Sequence, residues 1–460
     1  MNTSRRSFVK TVSIGTAGTI LLGPAACTPS GFAKHNRSVK KFEWPSDRLN
    51  VGVVGVSHRG YSNIRAMADQ PVNIVALCDA DWREPVLKVA EEHPNAKRYK
   101  DFRKMLDKEK NIDAIICSTP DHLHGVVVST AIKMGKHVYC EKPLAHSVWE
   151  TRELTRLAKE YGVQTQMGNQ GHSSDEIRRL VEWVDAGVLG DVTEVHAWCD
   201  RPAGGGSVSF VHGIERPTGE FPVPEGLDWD LWLGPALKRP YNPAYLPMKW
   251  RGYIDFGCGA LGDFGCHTLD PAFWALDLGS PESILATTTN QLKEVNYDTF
   301  PTSEIITYWF PKRGNKPPVK LVWYDGGITP RWDERFENIQ FGGNGALLVC
   351  EKGIVQHGSH GAGGLRFYPF DPSYSFEDPE PTIPRVGKHQ ADWVNACITG
   401  KPASGNFDYG GPLTEMVSLG VAASFIRNEK LDWDHATMTL GNPEQTAALI
   451  KPEFRKGWSM

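Results

Sequence analysis

The chain predicts an α/β fold in two parts: an N-terminal doubly wound parallel sheet, then a C-terminal α+β domain with an open, mostly antiparallel sheet. Three observations point there. From Leu49 to Asn169 the apolar runs are continuous rather than alternating, as in strands buried on both faces, and segments of helix length separate them. The first run leads into a turn with spaced glycines, "GVSHRG", Gly55 to Gly60. Beyond about residue 170 the strand-like runs are short and the loops between them are rich in Gly and Pro.

What precedes Leu49 reads as a targeting segment. "TSRRSFVK" places Arg5 and Arg6 ahead of "TVSIGTAGTILLGPAAC", an apolar stretch broken by Gly15, Gly18, Gly23 and Pro24. A membrane span needs about 20 predominantly apolar residues, so this shorter run predicts a cleavable twin-arginine export signal over 1–27 and a periplasmic or exported protein. Cys27 offers a lipid-attachment site; the alternative is cleavage near the "PAAC" junction. Residues 28–48 are polar and basic without periodicity and read as a linker.

The chain left after the signal, roughly 430 residues, suggests two or three domains. With 40% apolar residues and 15 tryptophans it has ample material for cores. Its 50 basic and 54 acidic side chains give no electrostatic reason to seek nucleic acid or anionic lipid. The cysteines at 78, 117, 140, 199, 258, 266, 350 and 397 are scattered and lack CxxC spacing, so they read as small buried hydrophobes.

Within the first domain, 49–168, strands are expected at "LNVGVVGV" (49–56), "VNIVALCD" (72–79), "IDAIICST" (112–119), "HVYCEK" (137–142) and "VQTQMGN" (163–169). The last helical segment between them opens on Ser147 with Glu150 three residues on, a capping box, and stops at Gly162. Alternation at this spacing builds a doubly wound sheet. In the second domain, 169–440, "VTEVHAWC" (192–199) alternates, with Thr193, Val195, Ala197 and Cys199 on one face and Glu194, His196 and Trp198 on the other, and "SEIITYWF" (303–310), "VKLVWYD" (319–325) and "ALLVCE" (346–351) are further short strands. They predict a sheet with one face exposed or used for association, and 441–460 reads as a C-terminal tail.

The turn Gly55 to Gly60 is the dinucleotide fingerprint G-x-G-x-x-G with Ser57 at the second glycine. Its glycines admit pyrophosphate to a helix N-terminus, where N–H groups and the dipole favour anions. Asp79 ends the next strand, where an acid accepts the adenosine ribose hydroxyls and repels a 2′-phosphate, favouring NAD over NADP. This is a Rossmann reading; taken alone, Asp79 is also an ordinary strand-end cap. "STPDHLHG" (118–125) and "EKP" (141–143) end two further strands at the ligand edge, bringing Thr119, Pro120 and Lys142 to the crevice. His122 and His124 suit a helix start as well as a site. In "GCGALGDFGCHTLDPAFWAL" (257–276), Asp263 and His267 lie four apart on one helical face, with Asp270 three further, so a carboxylate can orient the imidazole. A zinc site with Cys258 or Cys266 lacks any supporting CxxC or HExxH, and no metal is expected.

"VGVVGVSHRG", "STPDHLHG", "EKPLA" and "GALGDFGCHTLD", in that order, resemble the Gfo/Idh/MocA oxidoreductases, which include glucose–fructose oxidoreductase and inositol dehydrogenase; the likeness covers nearly all of the chain after the linker. "QMGNQGH" (166–172), "LDWDLWLGPA" (227–236) and "GPLTEM" (411–416) are similar to an exported branch of uncharacterised dehydrogenases within it. The resemblance implies a nicotinamide cofactor held by Gly55, Ser57, His58, Arg59, Gly60, Asp79, Thr119, Pro120, His122, His124, Glu141, Lys142 and Asn169. It implies His267 as general acid/base, Lys142 as its assistant and Asp263 as orienter, with Arg251 joining these three toward substrate. The implied substrate is a small carbohydrate, a sugar, glycoside or inositol, oxidised at a secondary hydroxyl by hydride transfer. Trp198, Arg201, His212, Trp250, Tyr253 and Asp255 are further candidates for substrate contacts. An exported enzyme would carry its NAD tightly bound and have it restored in place by a second sugar or a redox partner. The family's NAD-dependent glycoside hydrolases, whose characteristic sequences lack the "EKP" lysine, are one alternative; a non-catalytic sugar binder is another. A homo-oligomer is implied by family analogy.

Overall fold

The computed structural model describes residues 48–202, 211–289, 298–426 and 428–460. The expected signal over 1–27, its Cys27, and all of the linker but Arg48 lie outside the described residues. Six parallel strands form the first sheet in the order β3-β2-β1-β4-β5-β6: β1 Leu49–Val54, β2 Val72–Cys78, β3 Lys97–Tyr99, β4 Ala114–Cys117, β5 His137–Glu141 and β6 Thr165–Gly168. The order reverses between β1 and β4, which opens a crevice at their carboxyl ends, where doubly wound sheets bind ligands. Edge strand β3 carries no apolar run, so periodicity does not reveal it; pairing of Ala76 with Lys97 holds it in place.

Each face of this sheet is covered by helices for a reason visible in the strands. Val51, Val53, Ala114, Ile116 and Tyr139 present one apolar face. Helices Arg59–Ala66 and Val86–Glu92 cover it, and so does His389–Thr399, whose Trp393 is fully buried there. A segment far along the chain thus returns to cover part of the nucleotide-binding sheet. Helix Val148–Tyr161, on the other face, starts as expected: Ser147 accepts from the Glu150 N–H and donates to its carboxylate, and Gly162 closes it in the left-handed region.

The second sheet has nine strands in the order β13-β12-β11-β7-β10-β9-β8-β14-β15. They are β7 Val192–Cys199, β8 Ser283–Thr288, β9 Glu304–Phe310, β10 Val319–Tyr324, β11 Asn344–Cys350, β12 Gly353–Gly358, β13 Arg366–Pro369, β14 Lys430–Asp434 and β15 Thr439–Leu440. Pairing is antiparallel except between β7 and β10. Helices Gly259–Thr268 and Phe407–Ala423 pack on the inner face. The outer face is not open along its whole length. Trp198, only 2% exposed, and Val322, Tyr324, Leu347 and Ile354 are buried under the loop that carries Phe336, Ile339 and Phe341. That loop explains why residues 195–199 of β7 are buried on both sides, while Ile305, Thr307 and Trp309 of β9 stay half-exposed.

Residues 211–257 form an aromatic insertion, with Trp229, Trp232, Tyr241, Tyr245 and Phe256 packed ring on ring. It is stitched to the chain just after β2, where Asp228 N donates to Ala80 O at 2.8 Å and Trp82 N to Gly226 O at 3.1 Å. Residues 441–460 are more than a tail: Pro443–Ile450 is a helix capped by Asn442, and the segment beyond it packs back on the first domain.

Candidate active site

A cavity of about 940 Å³ runs along the carboxyl ends of β1, β2 and β4 toward helix Gly259–Thr268. Its floor is the glycine turn. Gly55 has φ +82°, and a Cβ there would lie 2.5 Å from Ser118 O; a Cβ on Gly60 would lie 1.9 Å from Gly55 O. Only glycine fits either position, so the turn presses the N-terminus of helix Arg59–Ala66 against the strand and leaves a cradle for an anion. Ser57, His58 and Arg59 line the cavity above it, and His58 holds the left-handed φ of +48°.

Asp79 follows β2 and also lines the cavity. Its carboxylate accepts from Val56 N at 2.9 Å and from Asp81 N at 3.0 Å, while burial pushes its pKa up to about 6. Thr119, Pro120 and His124 stand at the end of β4. Both nitrogens of the His124 ring face carbonyl oxygens, Pro143 O at 2.8 Å and Thr119 O at 3.0 Å, so this imidazole locks the two strand-end loops together. Cys117, His124 and Cys140 bring potential ligand atoms within 4.8 Å of one another, and both His124 nitrogens also lie within hydrogen-bond distance of the carbonyls that tie these loops together.

Lys142, 9% exposed, follows β5 and donates to the Asp263 carboxylate and, at 2.6 Å, to its main-chain oxygen. Arg251 donates to the same carboxylate oxygen at 2.8 Å. Despite burial, these two cations hold the Asp263 acid well below its ordinary range. His267 lies one turn further along helix Gly259–Thr268. Burial, then the Lys142 charge and His360, drives its imidazole well below the ordinary value, so the ring is neutral. Its Nδ1 is buried without a hydrogen-bond partner. Glu141 sits beneath, accepting from Asn63 at 2.8 Å and Gln170 at 2.9 Å.

Two expected cofactor residues face elsewhere. His122 is buried between Phe256 O, 3.2 Å away, and Trp232 O, 3.0 Å away, and fastens the aromatic insertion to its helix. Asn169 donates to Asp270 at 3.1 Å in a buried cluster with His172 and Tyr409 behind the cavity. Among the second-domain candidates, Arg201, Trp250 and Arg251 line the cavity. Trp198 belongs to the outer-face core, Tyr253 to the aromatic cluster, His212 packs against Pro301 O, and Asp255 pairs with Arg216 and Arg239. Cys258 points its thiol at His146 O and Cys266 is wholly buried, so neither forms a ligand set with His267.

His360 belongs to none of the sequence motifs. It lies in "GSHGAGG" (358–364), has φ +61°, and its ring stacks on His267 with centroids 4.0 Å apart and planes 20° apart. The loop is seated by Ser174 Oγ on Gly361 O and by Thr268 Oγ1 against Ser359 Oγ at 2.8 Å. The signal available was the density of glycines around a lone histidine, which implies left-handed backbone and a tightly packed loop.

Residues 49–169 match the family described as an oxidoreductase family with NAD-binding Rossmann fold, and residues 174–310 match its C-terminal alpha/beta domain. An uncharacterised oxidoreductase of Schizosaccharomyces pombe is 25% identical over 284 residues, 62% of this chain and 63% of that protein; the chain thus spans under two thirds of that relative. A "Glycosyl hydrolase family 109 protein 1" of Shewanella sp. (strain MR-4) is 26% identical over 377 residues, 78% of this chain and 77% of that one. Among solved structures, levoglucosan dehydrogenase, in complex with NADH and levoglucosan, superposes with a TM-score of 0.56 at 16% identity, covering 84% of this chain and 99% of that one. Matched in both its domains, with the glycine cradle, the acid after β2 and the Lys142–Asp263–His267 cluster around one cavity, the chain belongs to the Gfo/Idh/MocA oxidoreductase family.

Proposed function

We propose that this protein is an exported NAD-dependent oxidoreductase that acts on a secondary hydroxyl of a sugar, glycoside or inositol and keeps its cofactor bound through turnover. The observation that carries this reading is the continuity of one cavity from the Gly55 cradle and Asp79 to Lys142, Asp263 and His267. The residues fit the cofactor: Gly55 and Gly60 leave no room for a Cβ at the tight turn, and Asp79 offers a carboxylate that favours NAD over a 2′-phosphorylated analogue. Bound NAD would supply the hydride acceptor. His267, neutral and buried, accepts the hydroxyl proton of the substrate. Lys142, fixed by Asp263, donates to the same oxygen and stabilises negative charge on it. Arg251, held on the other side of Asp263, orients further hydroxyls, and Trp250 offers a ring face. Signal, export and a homo-oligomer built on the half-exposed strand β9 are parts of the same proposal.

A second reading, redox-assisted glycoside hydrolysis, is favoured by His360. Elimination at the carbon next to the oxidised one requires a second base, and the stacked imidazoles supply two at one place. The likeness to a glycosyl hydrolase family 109 protein supports it, whereas Lys142 favours net oxidation. Incubating the purified protein with free sugars and with aryl glycosides, while following nicotinamide absorbance and aglycone release, decides the matter. Stoichiometric reduction of NAD by a free sugar supports the oxidoreductase; aglycone release without net reduction supports the hydrolase. Neither signal across sugar classes overturns both.

A further inference from the structure

We propose that segment Lys451–Met460 forms the outer wall of the adenosine subsite, and that Trp458 is the residue that holds the adenine end of the dinucleotide in place. The inference rests on the NAD reading but on residues outside the fingerprint and outside the catalytic cluster.

The acid after β2 marks the adenosine end of a dinucleotide site. Beyond Asp79 the cavity wall continues with Asp101 and Phe102, which follow β3, and with Leu123 and Val127 on helix Asp121–Lys133. Trp458 completes that wall. Its indole is fixed from outside: the Arg103 guanidinium lies 4.4 Å from the ring centroid, and the Phe102 ring is 6.2 Å away at 42°. Asp101 holds Arg103 through two hydrogen bonds of 2.9 Å each, so the support is itself rigid. Arg455 also lies over the ring, 5.9 Å from its centroid, and the part of the indole that lines the cavity offers apolar ring surface of the kind on which a purine stacks.

The rest of the segment is anchored on both sides of the mouth. Arg455, 9% exposed, donates from its main chain to Pro235 O at 2.9 Å and from Nε to Gly234 O at 3.0 Å, and it pairs with Asp230. Those partners belong to the aromatic insertion, whose Leu231 and Trp232 line the same cavity. Trp458 N then bonds Arg455 O at 3.1 Å, which turns the chain inward. The Met460 sulfur lies where a Cβ on Gly125 would come within 3.0 Å, so the segment reaches helix Asp121–Lys133 beside Glu150. The chain therefore runs from the insertion, over the adenosine end, to the nucleotide-binding domain. On this placement Trp458 and Phe102 stand together at the adenosine end of the cavity, where they would slow departure of a bound dinucleotide. This is a structural basis for holding the cofactor through many turnovers.

The test uses the full chain and its Trp458→Ala, Trp458→Phe and Arg455→Ala variants, each checked for unchanged circular dichroism. Dissociation of NAD is timed after dilution into excess competitor, and AMP and nicotinamide mononucleotide are titrated separately. The expected result is NAD release faster by on the order of tenfold in Trp458→Ala and Arg455→Ala, near-normal release in Trp458→Phe, and AMP affinity lowered in Trp458→Ala with nicotinamide mononucleotide unchanged. NAD release and AMP affinity unchanged in a folded Trp458→Ala overturn the proposal and leave the NAD reading intact. Failure of the unmodified protein to bind either NAD or AMP overturns the NAD reading itself, and the proposal with it.

Discussion

Lys142 and Asp263 join the two halves of the active site: the lysine after β5 donates to both the carboxylate and the main-chain oxygen of an aspartate in helix Gly259–Thr268. Asp263 also accepts from Arg251, so one buried anion is shared by two cations that line the cavity. Lys142→Met should reduce kcat by on the order of a hundredfold or more with sugar substrate, because the developing oxyanion loses its donor. Affinity for NAD should change little. Asp263→Asn should cost more than activity. Two buried cations would face each other without a counter-charge, and stability should fall by about 3 kcal/mol in denaturant unfolding.

His267 and His360 separate the two functional readings. If net oxidation is the reaction, His267→Ala should lose on the order of a thousandfold in kcat/KM, and His360→Ala about tenfold or less. If elimination is the reaction, both variants should lose comparably on an aryl glycoside. The pH profile has a definite sign. Because burial and the Lys142 charge lower the His267 pKa well below 6.5, the base stays unprotonated through neutral pH. The acid limb of kcat/KM should therefore lie well below pH 6.5; a limb at or above that value would remove His267 from the role.

Much of this site was legible because its parts sit at strand ends and on one helix, where spacing alone determines which side chains meet. Gly55, Asp79, Thr119 and Lys142 each follow a continuous apolar run, so their place at the crevice follows from the sheet. Asp263 and His267 share a face by the helical period. His360 and Trp458 were not legible. Each reaches the cavity from a segment without periodicity, brought there by tertiary contacts with Gly171, Ser174, Phe102 and Arg103. The same limit hid β3, too short and polar to register, and the return of Trp393 to the first sheet. His122 and Asn169 illustrate the converse. Both adjoin strand ends and both turn inward, because carbonyls of the insertion and the Asp270 carboxylate satisfy them better than the cavity does.

Asp79 should make cofactor affinity depend on pH. Burial raises its acid to about 6 in the free protein. A ribose hydroxyl donates to the ionised form, so the Kd for NAD should fall as pH rises from 5 to 7 and level off above. Asp79→Ala should weaken NAD by on the order of tenfold to a hundredfold, abolish that pH dependence, and narrow the preference for NAD over NADP. Titration by protein fluorescence at three pH values reads all of these; a pH-independent Kd in the unmodified protein would exclude the assigned contact.

Acid stability supplies the last prediction. Burial lowers His122 to about 3 and His137, His212, His357 and His389 to about 4, all from an ordinary 6.5. A histidine kept neutral in the fold contributes its full stabilisation above pH 6.5, where the unfolded chain is also neutral. Below that the unfolded chain takes up protons that the folded one refuses, and stability falls until the folded value is reached. Each ring lowered to about 4 is worth up to about 3 kcal/mol and His122 up to about 5 kcal/mol, so several together outweigh the net stability of an ordinary domain. The Glu304–Asp325 pair acts in the opposite sense. Burial raises Glu304 to about 7, and its contribution, complete below pH 4.5, declines as pH rises toward 7. Buried Asp79, Glu141 and Glu150 are raised and act with this pair, whereas Asp263 and Glu182, held low by neighbouring cations, act with the histidines, so the histidine sign should win. Denaturant midpoints measured from pH 8 down to 4 should fall steeply between 6.5 and 4, and His389→Gln, which keeps polar contacts without a titrating ring, should flatten the slope. Glu304→Gln should steepen it, since an acid that offsets the histidines over that range would be gone.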